Sequence, residues 1–96
     1  MENVSVDEIK RRIKPILKKS DVLRSSIFGS AARGELSAES DIDILIEFPK
    51  GKTLLDLVEL KIQLERALGR NIDILTYKSI HPLLKDSIRQ NEVSIL

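Results

Sequence analysis

The segment Ser40-Asp41-Ile42-Asp43-Ile44-Leu45 sets two carboxylates two residues apart. In a strand that spacing turns both to one face, and Ile42, Ile44, Ile46 and Phe48 to the other. Two carboxylates a few ångströms apart repel and are costly beside a core. A divalent cation cancels that repulsion. Hard oxygen ligands with no Cys or His nearby favour Mg²⁺ or Mn²⁺. The bland alternative is a pair of solvated aspartates at a strand start. Asp73 changes the balance, because Asn71-Ile72-Asp73-Ile74-Leu75 repeats the same alternation. If the two strands are neighbours, Ile42, Ile44, Ile72 and Ile74 form one core surface and Asp41, Asp43 and Asp73 converge on the opposite one. Three such carboxylates are equipment for two metals about 4 Å apart, one at an attacking hydroxyl and one on a triphosphate.

Gly29-Ser30 ends the preceding strand and opens a helical turn over Ala31 to Arg33, before Gly34. Glycine lets backbone approach a phosphate closely, and a helix start aims amide N–H groups at it. The Ser30 hydroxyl adds a donor, and Arg33, one turn on, has the reach for a phosphate oxygen. An ordinary strand-to-helix turn explains Gly-Ser equally well. Arg33 has two roles open to it, contacting phosphate or bracing the loop against Asp41 or Glu35.

These residues need elements to hold them. A first helix starts at Ser5, which has capping-box spacing to Glu8. Val6, Ile9, Ile13, Ile16 and Leu17 make its apolar face, and Pro15 is expected to bend it. Its other face carries Lys10, Arg11, Arg12, Lys14, Lys18 and Lys19, read as a solvated basic face in preference to a phosphate or partner contact. Strands are expected over Val22 to Phe28, Asp41 to Phe48 and Asn71 to Tyr77. Leu36 to Ser40 is a polar loop and Pro49-Lys50-Gly51 a turn. Thr53 caps a long helix running to Leu68, which Gly69 ends. Pro82 suits the start of a last helix, Leu83 to Gln90, and Val93 to Leu96 suits a short edge strand. The order implies an α/β (α+β) domain, a small mixed sheet covered by helices.

With 96 residues the chain has room for one domain, spanning 1–96, and one core. No linker or internal boundary shows. At 42% hydrophobic and 32% charged it reads as globular, and 3% aromatic content makes the core aliphatic. The absence of cysteine removes disulfides, thiolate metal sites and cysteine nucleophiles, and fits a reducing cytoplasm. No apolar run approaches the roughly 20 residues of a membrane span, and the acidic, amphipathic start does not read as a signal peptide. A net charge of +1 argues against gripping nucleic acid by charge alone.

Gly29-Ser30, ten residues, then Asp41-Ile42-Asp43, with the later lone Asp73, resembles the signature of the DNA polymerase β-like nucleotidyltransferase superfamily. The text from Phe28 to Gly34 and from Ser40 to Ile46 is similar to its smallest members, the minimal nucleotidyltransferases of bacteria and archaea. The likeness covers nearly the whole chain. It implies the polymerase β-like nucleotidyltransferase fold, with Gly29 and Ser30 on the triphosphate. It also implies Asp41 and Asp43 as ligands of both metals, and Asp73 as a ligand of the catalytic metal that helps activate the acceptor. Proteins resembling this one are commonly paired with a helical HEPN ribonuclease toxin and act as antitoxins by moving AMP from ATP onto a tyrosine of it. The resemblance therefore implies an ATP-using, Mg²⁺-dependent protein adenylyltransferase.

Only about twenty residues follow Asp73, too few for the acceptor-binding domain that larger relatives append. The expectation is that the acceptor brings its own surface or that a second subunit completes the site. The rivals are transfer to a small molecule or an RNA end, and neutralisation of a partner by contact alone. The long helix bears on this. Leu54, Leu57, Leu60, Leu64, Ala67 and Leu68 form one apolar stripe, and Leu55, Val58 and Ile62 a second. The second stripe either packs on the first or last helix, or stays exposed for another subunit or the acceptor.

Overall fold

The structure is a computed structural model that describes residues 5–32, 41–83, 86 and 92–96. Its elements are α1 (Val6–Lys19), β1 (Arg24–Phe28), the short α2 (Gly29–Ala32), β2 (Ile42–Glu47), α3 (Leu54–Leu68), β3 (Ile72–Thr76), a 3₁₀ turn (Tyr77–Ser79) and β4 (Val93–Ser94). The strands form one mixed sheet in the order β3-β2-β1-β4. β2 runs antiparallel to β1 and parallel to β3. The parallel pair is joined through α3, as a parallel connection requires a crossover.

Local chemistry explains the helix ends. The Ser5 hydroxyl accepts the Glu8 N–H at 3.1 Å. The other half of the expected box is missing, because the Glu8 carboxylate turns to Arg11 and Arg12. Those guanidinium groups hold Glu8 below the usual carboxylate range, the Arg11 hydrogen bond contributing most. The basic face of α1 is thus mostly exposed and partly paired within itself, as expected of a solvated face. The helix continues through Pro15. Around α3 both halves of a capping box form, between Thr53 and Asp56, and Gly69 stops the helix in the left-handed region at φ 65°.

The core lies between one face of the sheet and α1 with α3. Ile9, Ile13 and Leu17 from α1 meet Ile27, Ile42, Ile44, Ile46 and Ile72 from the sheet and Leu60, Leu64 and Leu68 from α3, all buried. Ile74 and Phe48 pack partly against it. The period-two pattern of β2 and β3 therefore sorts isoleucine inward as expected, and each buried side chain contributes about 1.5–3 kcal/mol of burial free energy. Ile95 enters the core beside β4, which pairs with β1 as the expected edge strand.

The second apolar stripe of α3 stays exposed: Val58 is 46% and Ile62 44% accessible, and Leu55 projects further. Leu54 departs from its expected place. It belongs to the first turn of α3, borders a cavity at the end of β2 and is 73% exposed. Pro82, Leu83 and Asp86 are helical; the rest of the expected last helix, and the expected loop over 36–40, lie outside the described residues. Among the described residues no helix is long and apolar enough to cross a membrane.

Candidate active site

The face of the sheet turned away from α1 and α3 carries the acidic residues. Asp43 and Asp73 are register partners on adjacent parallel strands, so the two carboxylates project side by side. On the other side of Asp43 its register partner is Phe28, the last residue of β1. Gly29 follows with φ 71°, a left-handed conformation that glycine takes without steric cost. A β-carbon at Gly29 would overlap Oδ2 of Asp43 and lie 3.3 Å from its Cγ. The start of α2 and the Asp43 carboxylate are therefore in direct apposition, and only a residue without a side chain fits between them.

The structure thus brings Gly29, Asp43 and Asp73 together. Asp41 stands one residue before β2, exposed, on the same end of the sheet. Asp73 is also exposed and Asp43 half-buried. Among the described residues no three acidic, His or Cys side chains form one compact group; the close relationship is the Asp43–Asp73 pair, with Asp41 beyond it. Ser30 lies in the first turn of α2. Its side chain, and Arg33 altogether, lie outside what is described.

A groove of about 380 Å³ runs beside this pair, bounded by Asp43, Asp73, Phe28, Leu57, Val58 and Lys61. A larger cavity, about 670 Å³, opens at the far end of β2 between the β2–α3 turn and Tyr77, and none of the three aspartates lines it. Asp43 and Asp73 both line the smaller groove, which makes it the candidate site.

Residues not singled out from the sequence complete this face. Tyr77 Oη lies 2.6 Å from Ser26 Oγ, and the Arg24 guanidinium sits 4.0 Å over the Tyr77 ring while its Nε is 3.4 Å from Glu47. Burial raises the Tyr77 hydroxyl above its ordinary range; the bond from Ser26 and the charge of Arg24 act in the opposite direction. The signal was present as a continuation of the same alternation: Arg24, Ser26 and Phe28 in β1, and Asp73, Leu75 and Tyr77 along β3. This layer braces the sheet two residues away from the carboxylates.

The site is thus a parallel β2–α3–β3 unit whose paired aspartates face a glycine-led helical turn. The sequence pattern of the nucleotidyltransferase domain matches residues 8–95. A Methanocaldococcus jannaschii protein with the provisional name protein adenylyltransferase is 59% identical over 93 residues, covering 97% of this chain and 100% of that one. A solved structure provisionally described as a minimal nucleotidyltransferase superposes with a TM-score of 0.82 at 30% identity, over 97% of this chain and 98% of the other. The fold also recurs, at 18% identity and a TM-score of 0.72, in a structure described as a tri-AMPylated Shewanella oneidensis HEPN toxin in complex with its MNT antitoxin, over 94% of this chain and 71% of that one. The chain belongs to the nucleotidyltransferase domain family, as a minimal nucleotidyltransferase of the DNA polymerase β-like superfamily, and is an enzyme of that class.

Proposed function

We propose that this enzyme transfers AMP from ATP onto a hydroxyl, that of a tyrosine, of a helical HEPN-type toxin, and so acts as its antitoxin. The observation that carries the reading is the in-register Asp43–Asp73 pair beside Gly29. Support for a protein acceptor comes from the name of the Methanocaldococcus jannaschii relative and from the AMP-bearing toxin in the Shewanella oneidensis complex.

The donor set fits a hard divalent cation. All its ligands are carboxylate oxygens, two of them on neighbouring strands, and the glycine beside them leaves space that a β-carbon would fill. Asp41, Asp43 and Asp73 would hold Mg²⁺, or Mn²⁺, as two ions. When bound, the metal supplies charge neutralisation for the triphosphate and lowers the pKa of the attacking hydroxyl. The protein's own groups do the rest. The backbone amides at the start of α2, with the Ser30 hydroxyl and Arg33, hold the triphosphate. Asp43 is fixed by the sheet. Asp73 faces the acceptor and takes its proton. The acceptor oxygen bonds to the α-phosphorus, the bond from that phosphorus to the β-bridging oxygen breaks, and pyrophosphate leaves.

The test is incubation of the protein with Mg²⁺, a candidate helical HEPN-type protein from the same organism, and ATP labelled at either the α- or the γ-phosphate. The α-label is expected to become covalently attached to the partner, and the γ-label to leave as pyrophosphate. Silencing of the partner with no label attached would replace this reading with neutralisation by contact.

A further inference from the structure

We propose that the acceptor polypeptide docks as an added antiparallel strand on the outer edge of β3, and that this edge sets the register delivering its hydroxyl to Asp73; this rests on the transfer reaction proposed above. β3 is the end strand of the sheet. The Asn71 carbonyl accepts the Ile42 N–H at 3.1 Å, so the backbone groups of Asn71 face β2. Such groups alternate along a strand, so those of Asp73 and Leu75 also face β2, and those of Ile72 and Ile74 face outward. The outward Ile72 N–H is already taken, by Oε2 of Glu65 from α3 at 3.0 Å. Glu65 thereby closes the edge at its first position. Ile74 is the next outward residue, and no strand lies beside it among the described residues. An edge of this kind is a template for an extended chain.

The surroundings suit one kind of occupant. A residue paired with Ile74 turns its side chain toward α3, where Leu57 and Val58 border the groove. Lys61 borders it too and makes no ion pair among the described residues, which suits an acidic residue on the incoming segment. The neighbouring residue of that segment turns to the opposite face and stands across from Asp73, as Asp43 does on the inner side. Side chains so placed have β-carbons about 4.5–5.5 Å apart. The occupant is thus an extended polypeptide with a hydroxyl residue next to an apolar one and an acidic residue nearby. Its oxygen bonds to the α-phosphorus of ATP, pyrophosphate leaves, and the proton passes to Asp73.

The probe is the peptide acetyl-Glu-Ala-Val-Tyr-Val-Thr-amide, whose Glu shares the α3-facing side with the valines, at millimolar concentration with Mg²⁺ and ATP, beside two twins. One is N-methylated at both valines, whose N–H groups would face β3; the other is N-methylated at the tyrosine, whose N–H would face away. Labelling of the parent is expected, with a loss of about tenfold or more for the valine twin, the scale of one backbone hydrogen bond, and little change for the tyrosine twin. Ile74→Pro removes the outward N–H together with a side chain that packs partly on the core, so Ile74→Ala is its control. A loss similar to the valine twin's is expected for proline beyond that of alanine; if the proline variant does not fold, the twins decide alone. Equal labelling of both twins overturns the proposal. So does labelling of an RNA 3′ end in place of the peptide, or no peptide labelling while ATP still binds in an Asp43-dependent manner. Absence of any ATP binding is instead the failure of the transfer reading itself, and this proposal falls with it.

Discussion

The carboxylate of Asp43 lies so close over the α-carbon of Gly29 that a β-carbon there would overlap Oδ2. Gly29→Ala has two costs. The left-handed backbone at φ 71° is unfavourable for alanine by about 1–2 kcal/mol, and the added methyl must displace Asp43. The expected outcome is a modest loss in thermal stability and a far larger loss of AMP transfer, on the order of a hundredfold, because a displacement of an ångström in a positioned group costs that much. Melting curves and transfer rates on one preparation check it. Full activity in Gly29→Ala would show that Asp43 is not held where the reaction needs it.

Asp43→Asn and Asp41→Asn should abolish transfer while leaving the fold intact. Asp43 faces Asp73 in register, so the substitution also relieves like-charge repulsion between the two strands. Loss of a metal ligand, by contrast, removes both neutralisation and orientation. Undiminished transfer by both variants would sink the assignment of the aspartates.

Ser30→Ala should be milder. Ser30 lies in the first turn of α2, and on the proposed reading its hydroxyl adds one hydrogen bond to those of the amides at the helix start. One hydrogen bond to a charged group is worth about 1.5–3 kcal/mol, so ATP affinity and transfer should fall by roughly 10- to 150-fold. A Ser30→Ala protein as inactive as Asp43→Asn would give the serine a role beyond phosphate binding.

What was legible beforehand divides along physical lines. Local punctuation was: Thr53 and Gly69 bound α3 where their chemistry predicts. The isoleucine-aspartate alternation also identified one face of β2 and β3, because only a strand sorts residues with period two. Features that need a partner from elsewhere in the chain were not legible. Glu8 has cap spacing, yet two arginines outcompete the backbone N–H for it. Leu54 has core spacing, yet it lies 73% exposed at the mouth of an open cavity. The Ser26–Tyr77 bond joins residues 51 apart and exists only because β1, β2 and β3 are neighbours.

Tyr77 supplies a pH-dependent prediction. It is the only tyrosine in a chain without tryptophan, so its ionisation can be followed by ultraviolet absorbance without interference. Burial, the largest cause, raises its pKa above the ordinary tyrosine value of about 10. The unfolded chain therefore ionises first as pH rises, and the folded state binds more protons. Stability is then fully present below about pH 10 and declines as pH rises through the folded pKa. Denaturant titrations from pH 8 to 11.5 should show this decline, and Tyr77→Phe should lessen it. A Tyr77 titrating in the folded protein at or below 10 would contradict the burial argument.

Val58 tests where the partner sits. It is 46% exposed on α3, in the stripe with Leu55 and Ile62, and it borders the groove beside Asp73. An apolar residue that contributes little to the core has little reason to stay on an open surface unless something covers it. Val58→Glu should leave folding stability within about 0.5 kcal/mol, as surface substitutions commonly do. ATP binding should fall far less than association, since Gly29, Asp43 and Asp73 themselves are unchanged, although Val58 borders the same groove. Association with the helical partner should weaken, because a carboxylate would be buried against apolar side chains without a counter-charge. Size-exclusion chromatography of the mixture, beside nucleotide titration of the variant alone, separates the two effects. A folded variant with unaltered assembly would remove this stripe from the interface. Unfolding of the variant would instead place Val58 in the core, against its exposed position on α3.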